Sequence, residues 1–257
     1  MLQAHSLLWN YLWAAPNLLL LVLAILLWKR GVHKLFPVFQ IFAVVTAIEQ
    51  LTLYVADILP SVSAGAWWRV FWIGLLIEAL VKFALIGEIF ARVFGQYDSL
   101  ATLGKRVISG AGVVLVLVAS VAAAYSPIDN PRYTYISHAH ILDQTIYMIE
   151  CGLLLFIFLF AAYFRLTWER KAFGIALGLS ISACVHFADW AVTSSGALID
   201  KRHLLDFLNM ITYHVCVLIW FYYLLVPAKK LLIPSEPAPP VHDLESWNEE
   251  MERLLHQ

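Results

Sequence analysis

Long apolar stretches separated by short polar segments dominate the pattern of this 257-residue chain. A bilayer core about 30 Å thick is crossed by roughly 20 helical residues, because each residue adds about 1.5 Å along the helix. Seven stretches reach that length. The pattern therefore predicts an all-α bundle of seven transmembrane helices. We place these spans at 7–28, 36–58, 67–91, 107–125, 141–165, 172–195 and 204–226.

Composition supports a membrane protein whose main partner is the lipid bilayer. Apolar residues make up 61% of the chain and charged residues 14%, whereas a soluble domain carries about 25% charge. The net charge is −1, so a nucleic acid is not an expected partner. The first apolar stretch lacks a preceding basic region, and we expect it to be a retained helix.

The basic residues are distributed unevenly between the two sides of the predicted bundle. Cytoplasmic loops carry an excess of Lys and Arg, so this bias predicts an N-terminus outside and a C-terminus in the cytoplasm. Lys82 lies within a span. The richer side carries Lys29, Arg30, Lys34, Arg92, Lys105, Arg106, Arg165, Arg170, Lys171, Lys229, Lys230 and Arg253, and the poorer side carries Arg69, Arg132, Lys201 and Arg202.

A change in composition after Lys230 divides the chain into a membrane domain, 1–230, and a cytoplasmic segment, 231–257. Four prolines predict an extended linker, and the residues that follow have the spacing of an amphipathic helix. Two interpretations stay open: the helix docks a cytoplasmic protein partner, or it packs back on the loops of its own bundle. Its apolar face comprises Leu244, Trp247, Met251, Leu254 and Leu255.

Ionisable side chains recur inside the predicted spans, where each costs at least about 2.5–3.5 kcal/mol. They follow the three-and-four spacing of single helix faces, and most fall roughly 13–15 Å below the outer surface, counted at about 1.5 Å per residue. We therefore predict a polar cavity that opens outward and is closed toward the cytoplasm by Lys82. The candidate ligand-binding or proton-relay residues are Glu49, Glu78, Lys82, Glu150, His186, Asp189, Asn209, Tyr213 and His214.

A purely structural role is the alternative for these polar groups. Polar pairs hold membrane helices together at about 0.6 kcal/mol each on average, and Glu78 with Lys82 has the i,i+4 spacing of an ion pair. For Glu88, four residues before Arg92, a local ion pair is the favoured interpretation. Cys151, Cys184 and Cys216 lie inside spans, and we interpret them as buried small apolar groups. The fourth span, nearly free of polar groups, is the best candidate for a lipid-facing or close-packing helix.

Several chemistries compete for the predicted cavity. Glu and His suit divalent metals, with His186 and Asp189 at i,i+3, and His186 with His214 could hold a haem. Proton-coupled transport is a further alternative. Retinal is disfavoured because the last span has no lysine, and hydrolase motifs are lacking. The favoured function is non-enzymatic: a receptor-like or scaffold protein with no catalytic residue and no expected cofactor.

Four segments between residues 87 and 248 give the chain a family resemblance, and the resemblance covers nearly the whole chain. They are similar to a bacterial seven-transmembrane-helix family of the acidobacterial type, which is uncharacterised. The resemblance implies the seven-helix fold and a location in the bacterial cytoplasmic (inner) membrane, and it carries over no site residue. The segments are 87–90, 150–160, 173–178 and 244–248.

Overall fold

The computed structural model describes residues 6–95, 102, 106, 110, 112–114, 131–163, 165–194, 202–227, 249 and 251–253. This part of the chain is helical and contains no strand, which confirms the all-α prediction for it. Six helices are long and apolar enough to cross a membrane, so the chain is a multi-pass integral membrane protein. They are α1 (Leu7–Lys29), α2 (Pro37–Ile58), α3 (Ala64–Phe94), α4 (Pro131–Tyr163), α5 (Arg170–Ser194) and α6 (Arg202–Leu225).

The predicted fourth span, 107–125, lies mostly outside the described residues. Within it, residues 110 and 112–114 are helical, and the side chains of Val113 and Val114 are exposed. This exposure agrees with a helix that faces lipid. A short 3-10 turn, Val32–Lys34, joins α1 to α2.

Local sequence accounts for the helix starts. Ser6 and Ser63 are the N-caps of α1 and α3, and each hydroxyl accepts a hydrogen bond from the backbone N–H three residues later. Pro37 is the first residue of α2, where its missing N–H costs nothing. Pro16, by contrast, lies inside α1. The Asn17 side chain next to it donates to the Trp13 carbonyl at 2.7 Å.

The six helices form a closed ring. Each packs against the next, α6 packs against α1, and α3 also contacts α5. The core lies inside this ring, while apolar side chains on the outside are exposed, as a lipid-facing surface requires. The ring brings polar side chains of all six helices toward a common centre.

The first and last helices of this ring run in the same direction. The Tyr213 hydroxyl, near the middle of α6, donates to the Asn17 side chain, near the middle of α1, at 3.0 Å. At the end of both helices, the Arg30 guanidinium donates to the Leu225 carbonyl at 2.8 Å. The residue numbers of the contacting side chains therefore increase in the same direction along α1 and α6, as they do in a parallel pair of helices.

Helices α3 and α4 are also parallel. The Lys82 ammonium lies 4.5 Å from the centre of the Tyr147 ring. Farther along both helices, the Phe90 and Phe156 rings stack with centroids 6.4 Å apart. The other sequential pairs of the ring run antiparallel, as the contact between the start of α5 and the end of α6 illustrates.

A close approach of α5 and α6 depends on two glycines spaced four apart. A Cβ added at Gly174 would overlap Tyr223, and one added at Gly178 would overlap Trp220. Small residues at this spacing let membrane helices pack backbone to side chain. Trp220 is thereby seated in the core, where its indole N–H donates to the Ile175 carbonyl at 3.3 Å.

Three buried aromatic residues, Phe39, Phe42 and Trp220, form what we call the aromatic plug. Trp220 meets Phe39 and Phe42 edge to face, with centroids 5.5 and 5.6 Å apart. All three side chains are essentially inaccessible. The plug fills part of the interior of the ring with apolar side chains.

One end of the bundle, which we call the basic end, contains the ends of α1, α3 and α6 and the starts of α2 and α5. Here the carboxylate of Glu88 accepts from the backbone N–H groups of Val38 and Phe39, at 3.3 and 3.2 Å. The structure thus corrects the predicted pairing of Glu88 with Arg92, since Arg92 forms its ion pair with Glu169 at 3.3 Å. The free N–H groups at the start of α2 explain the difference, because they favour a carboxylate.

The C-terminal segment is described only at residues 249 and 251–253, which are helical. The Met251 side chain is half-buried and packs against the core of the bundle. Of the predicted docking face, Leu244, Trp247, Leu254 and Leu255 lie outside the described residues. The Met251 contact is the one expected if the helix packs back on its own bundle.

The cysteines are only partly buried. Cys216 is inaccessible, but Cys151 is intermediate and Cys184 is exposed, so the prediction of three buried thiols is wrong for Cys184. The two less buried sulfurs lie 4.0 Å apart across α4 and α5. They are free thiols rather than a disulfide.

Candidate ligand cavity

A cavity of about 240 Å³ lies inside the ring, and every one of the six helices contributes to its wall. Its lining mixes aromatic and apolar side chains with polar ones. The polar and phenolic lining residues are Asn17, Thr46, Gln50, Glu78, Lys82, Tyr147, Ser182, His186, Asn209 and Tyr213.

The cavity lies toward the end of the bundle opposite the basic end, which we call the Ser6 end. Its α1 residues lie in the first half of that helix, and its α2, α5 and α6 residues lie around the middle of theirs. Phe42 and Trp220 of the aromatic plug also line it. The plug therefore forms the cavity wall on the side of the basic end.

A buried charge cluster stands in the wall formed by α3 and α4. The Lys82 ammonium lies 3.2 Å from Glu78 Oε1 and 3.6 Å from Glu150 Oε2. Lys82 is 7% exposed and Glu150 is 1% exposed. One turn of α3 places Glu78 and Lys82 on the same face, and the parallel helix α4 supplies Glu150 and Tyr147. We call Glu78, Lys82 and Glu150 the Lys82 cluster, which has two carboxylates for one ammonium.

Side-chain contacts between the helices fix the rest of the wall. The His186 ring stacks on the Tyr147 ring, with centroids 4.2 Å apart and planes 7° from parallel. The Asn209 amide donates to Asp189 Oδ2 at 2.6 Å. These contacts join α4 to α5 and α5 to α6, so the wall is built from interacting side chains of neighbouring helices.

Some buried polar atoms have no hydrogen-bond partner within the described residues. They include the Thr46 hydroxyl and the Asn209 side-chain oxygen on the cavity wall, both carboxylate oxygens of Glu150, and Oε2 of Glu49. Buried polar groups are normally hydrogen-bonded. Unsatisfied groups on a polar wall therefore mark a place suited to a polar ligand.

The structure brings most of the predicted site residues together. Glu78, Lys82, His186, Asn209 and Tyr213 line the cavity. Two more residues lie behind this wall and contact a lining residue, Glu150 through Lys82 and Asp189 through Asn209.

Two predicted residues lie elsewhere. The Glu49 carboxylate sits against Gly74 of α3, where an added Cβ would overlap it, and it does not line the cavity. The His214 ring packs against the exposed Tyr11 of α1, with centroids 5.9 Å apart. His214 is thus turned away from His186, and the structure does not bring the two proposed haem ligands into one cavity.

Several lining residues were not among the predicted site residues. Asn17 is a polar residue in an otherwise apolar stretch of α1, and that contrast was a usable signal. Gln50 follows Glu49 directly, and a rotation of about 100° per residue gives the neighbour the cavity-facing position. Trp13 and Met210 carry no such signal, because apolar side chains occur throughout the spans.

Known proteins add nothing to the geometry: no family model, curated protein or solved structure matches the chain. Within the described residues, no group of three or more His, Cys, Asp or Glu side chains could hold a metal ion. The arrangement therefore offers hydrogen-bond donors and acceptors, a charge cluster and aromatic surfaces to a small molecule.

Proposed function

We propose that this protein is a receptor-like, non-enzymatic membrane protein that binds a small polar ligand in the cavity. The observation that supports it most is the polar wall on the Ser6 side of the aromatic plug, with buried acceptors that no described side chain satisfies. A structural ion pair needs one carboxylate per ammonium, whereas the Lys82 cluster has two. Burying this imbalance costs stability, which favours a role in binding.

Two matched cysteine variants test whether the cavity is accessible. Ser182 lines the cavity, whereas Ser180 on the same helix donates to the Ala176 carbonyl and does not line it. In a background with the three native cysteines replaced by alanine, Ser182→Cys should react with a neutral hydroxyethyl methanethiosulfonate reagent and Ser180→Cys should not. Equal reactivity of the two thiols would contradict an accessible cavity.

We propose seven spans with the N-terminus outside. The parallel directions of α1 and α6, and of α3 and α4, support one additional crossing between α3 and α4, because consecutive spans otherwise alternate in direction. Residues 96–130 exceed the roughly 20 residues that a crossing needs. The excess of Lys and Arg on the side of the basic end supports the orientation.

Impermeant thiol labelling of intact cells tests this topology. A cysteine at Ser6 should be labelled, and one at Lys171 should be labelled only after the cells are broken open. Labelling of both sites in intact cells, or of Lys171→Cys alone, would contradict the proposed orientation.

The C-terminal helix supplies the second half of the receptor-like proposal, capture of a cytoplasmic protein. Met251 packs against the core, as it would in a helix that only packs back on its own bundle, so the capture experiment decides between the two interpretations. Deletion of residues 243–257 should abolish capture of the partner in a pull-down, and Met251→Glu should weaken it. Glu252→Gln, on an exposed position, is the matched control. Unchanged capture after the deletion would remove this half of the proposal.

An ion- or proton-coupled transporter is the second candidate, because the carboxylates around Lys82 could exchange protons. Flux into liposomes that is lost in Glu78→Gln would favour it, and silent liposomes would count against it. A metal- or haem-dependent enzyme is the third candidate. A stoichiometric metal or a haem absorption band in purified protein would favour it. The family resemblance supports the bacterial inner membrane as the location.

A further inference from the structure

We propose that the cavity is selective for a small organic ammonium ion that carries hydrogen-bond donors. This inference rests on the proposed function of the cavity as a ligand site, and it names the chemical class of the ligand. Charge, hydrogen-bonding capacity and aromatic lining each support it.

Charge favours a cation, because the only described lysine of the cavity wall is already neutralised. Lys82 is held between Glu78 and Glu150, so its ammonium has little attraction left for an anion. Glu78 itself lines the cavity, and Glu78 and Glu150 supply two carboxylates for the one Lys82 ammonium. When both carboxylates are ionised, these three groups carry a net negative charge, and in a poorly solvated interior that charge acts strongly on a ligand.

Hydrogen-bonding capacity points to a ligand that donates. Thr46 is 3% exposed, and neither its buried hydroxyl oxygen nor the buried side-chain oxygen of Asn209 has a partner in the described part of the chain. The Asn209 amide already donates to Asp189, so its oxygen is left as an acceptor. The Thr46 hydroxyl can accept as well as donate, so N–H or O–H groups on the ligand would satisfy both atoms.

Aromatic side chains give the cavity a surface on which a cation is stabilised. Trp13, Phe42, Tyr213 and Trp220 line it, and ring faces attract ammonium groups. The wall already contains one such contact, since the Lys82 ammonium stands 4.5 Å from the centre of the Tyr147 ring. The volume of about 240 Å³ is below the roughly 300–1,000 Å³ of drug-sized sites, so the ligand is small.

A pair of probes of equal shape separates charge from size. Choline and 3,3-dimethylbutan-1-ol differ only in replacing the quaternary nitrogen by carbon. Each probe is titrated into the full chain in nanodiscs, and binding is measured by calorimetry. The affinity for choline should be at least about tenfold higher than that for the alcohol, because only choline gains cation–π and ionic attraction. Equal affinity of the two probes, or binding of neither, would overturn the proposal.

Charge-neutralising variants locate the effect. Glu78→Gln should lower choline affinity about tenfold or more and leave the alcohol unchanged. Glu169→Gln, a carboxylate at the basic end that is 43% exposed, removes the same charge elsewhere and should change neither probe. Equal losses in both variants would overturn the assignment to the cavity.

A second measurement does not depend on the folding of Glu78→Gln. The Ser182→Cys thiol should react faster with a trimethylammonium-ethyl methanethiosulfonate than with its sulfonate analogue, relative to their rates with a free thiol. If the neutral reagent reacts and the anionic reagent reacts as fast as the cationic one, the cation proposal fails while the accessible cavity stands. If the neutral reagent does not react, the proposed function itself fails.

Discussion

Charged side chains form contacts at both ends of this bundle, but among the described residues only those of the cavity half include buried ones, Lys82 and Glu150. At the basic end, the Glu88 carboxylate accepts hydrogen bonds from two backbone N–H groups of α2. Arg30 and Arg170 donate to the backbone carbonyls of residues 225 and 226, at the end of α6.

In the cavity half, two carboxylates share Lys82, and buried acceptors on the cavity wall have no partner within the described residues. Arg92 Nε and Gln40 Oε1 near the basic end also have no partner there, but these two residues do not line the cavity. The difference indicates that the basic end holds the fold together and the cavity half is arranged for a ligand.

The largest effect should come from removing the shared cation. Lys82→Met leaves Glu78 and Glu150 buried without an ammonium, and loss of one partner of a buried pair costs about 3–5 kcal/mol. Thermal unfolding in detergent should show the loss, and adding Glu150→Gln should restore part of it. Unchanged stability of Lys82→Met would mean that the Lys82 cluster is not an ion-pair network.

A smaller loss should follow from enlarging Gly178. The added methyl of Gly178→Ala would overlap Trp220, and overpacking typically costs about 1–3 kcal/mol. Gly152→Ala is the control, because nothing lies within 4 Å of an added Cβ there. Comparison of the two unfolding temperatures checks the close approach of α5 and α6, and equal temperatures would argue against it.

Removing the carboxylate that caps α2 sharpens the contrast between the two halves. Glu88→Ala frees two backbone N–H groups and should cost about 1–2 kcal/mol, as loss of a helix cap does. Choline affinity should stay unchanged, because Glu88 lies at the basic end. The same pair of measurements on Glu78→Gln should show the opposite pattern, and a loss of binding in Glu88→Ala alone would reverse the assignment of roles.

The smallest effect on stability belongs to Thr46→Val. It removes a buried hydroxyl that has no described partner, so stability should be unchanged or rise by up to about 1 kcal/mol. Choline affinity should fall, because the ligand loses an acceptor. A clear loss of stability in thermal unfolding would show that the hydroxyl is bonded within the protein instead.

Sequence was sufficient to predict the six described membrane-spanning helices, because long apolar stretches have one stable state in a bilayer. It also predicted the contact of Lys82 with Glu78, which depends only on helix spacing. It could not predict that Glu88 caps α2 or that Arg92 pairs with Glu169, since both contacts join helices far apart in sequence. For the same reason, the outward turn of His214 toward Tyr11 and the inward position of Gln50 required the rotation of each helix to be known.

The central claim is that the polar cavity of the Ser6 end is an accessible ligand site. Reaction of Ser182→Cys and Ser180→Cys with the neutral methanethiosulfonate reagent, in protein without native cysteines, tests it most directly. The account predicts rapid modification of Ser182→Cys, slowing of that reaction by choline, and an unreactive Ser180→Cys. Two equally unreactive thiols would contradict it and leave the buried charges a structural role alone.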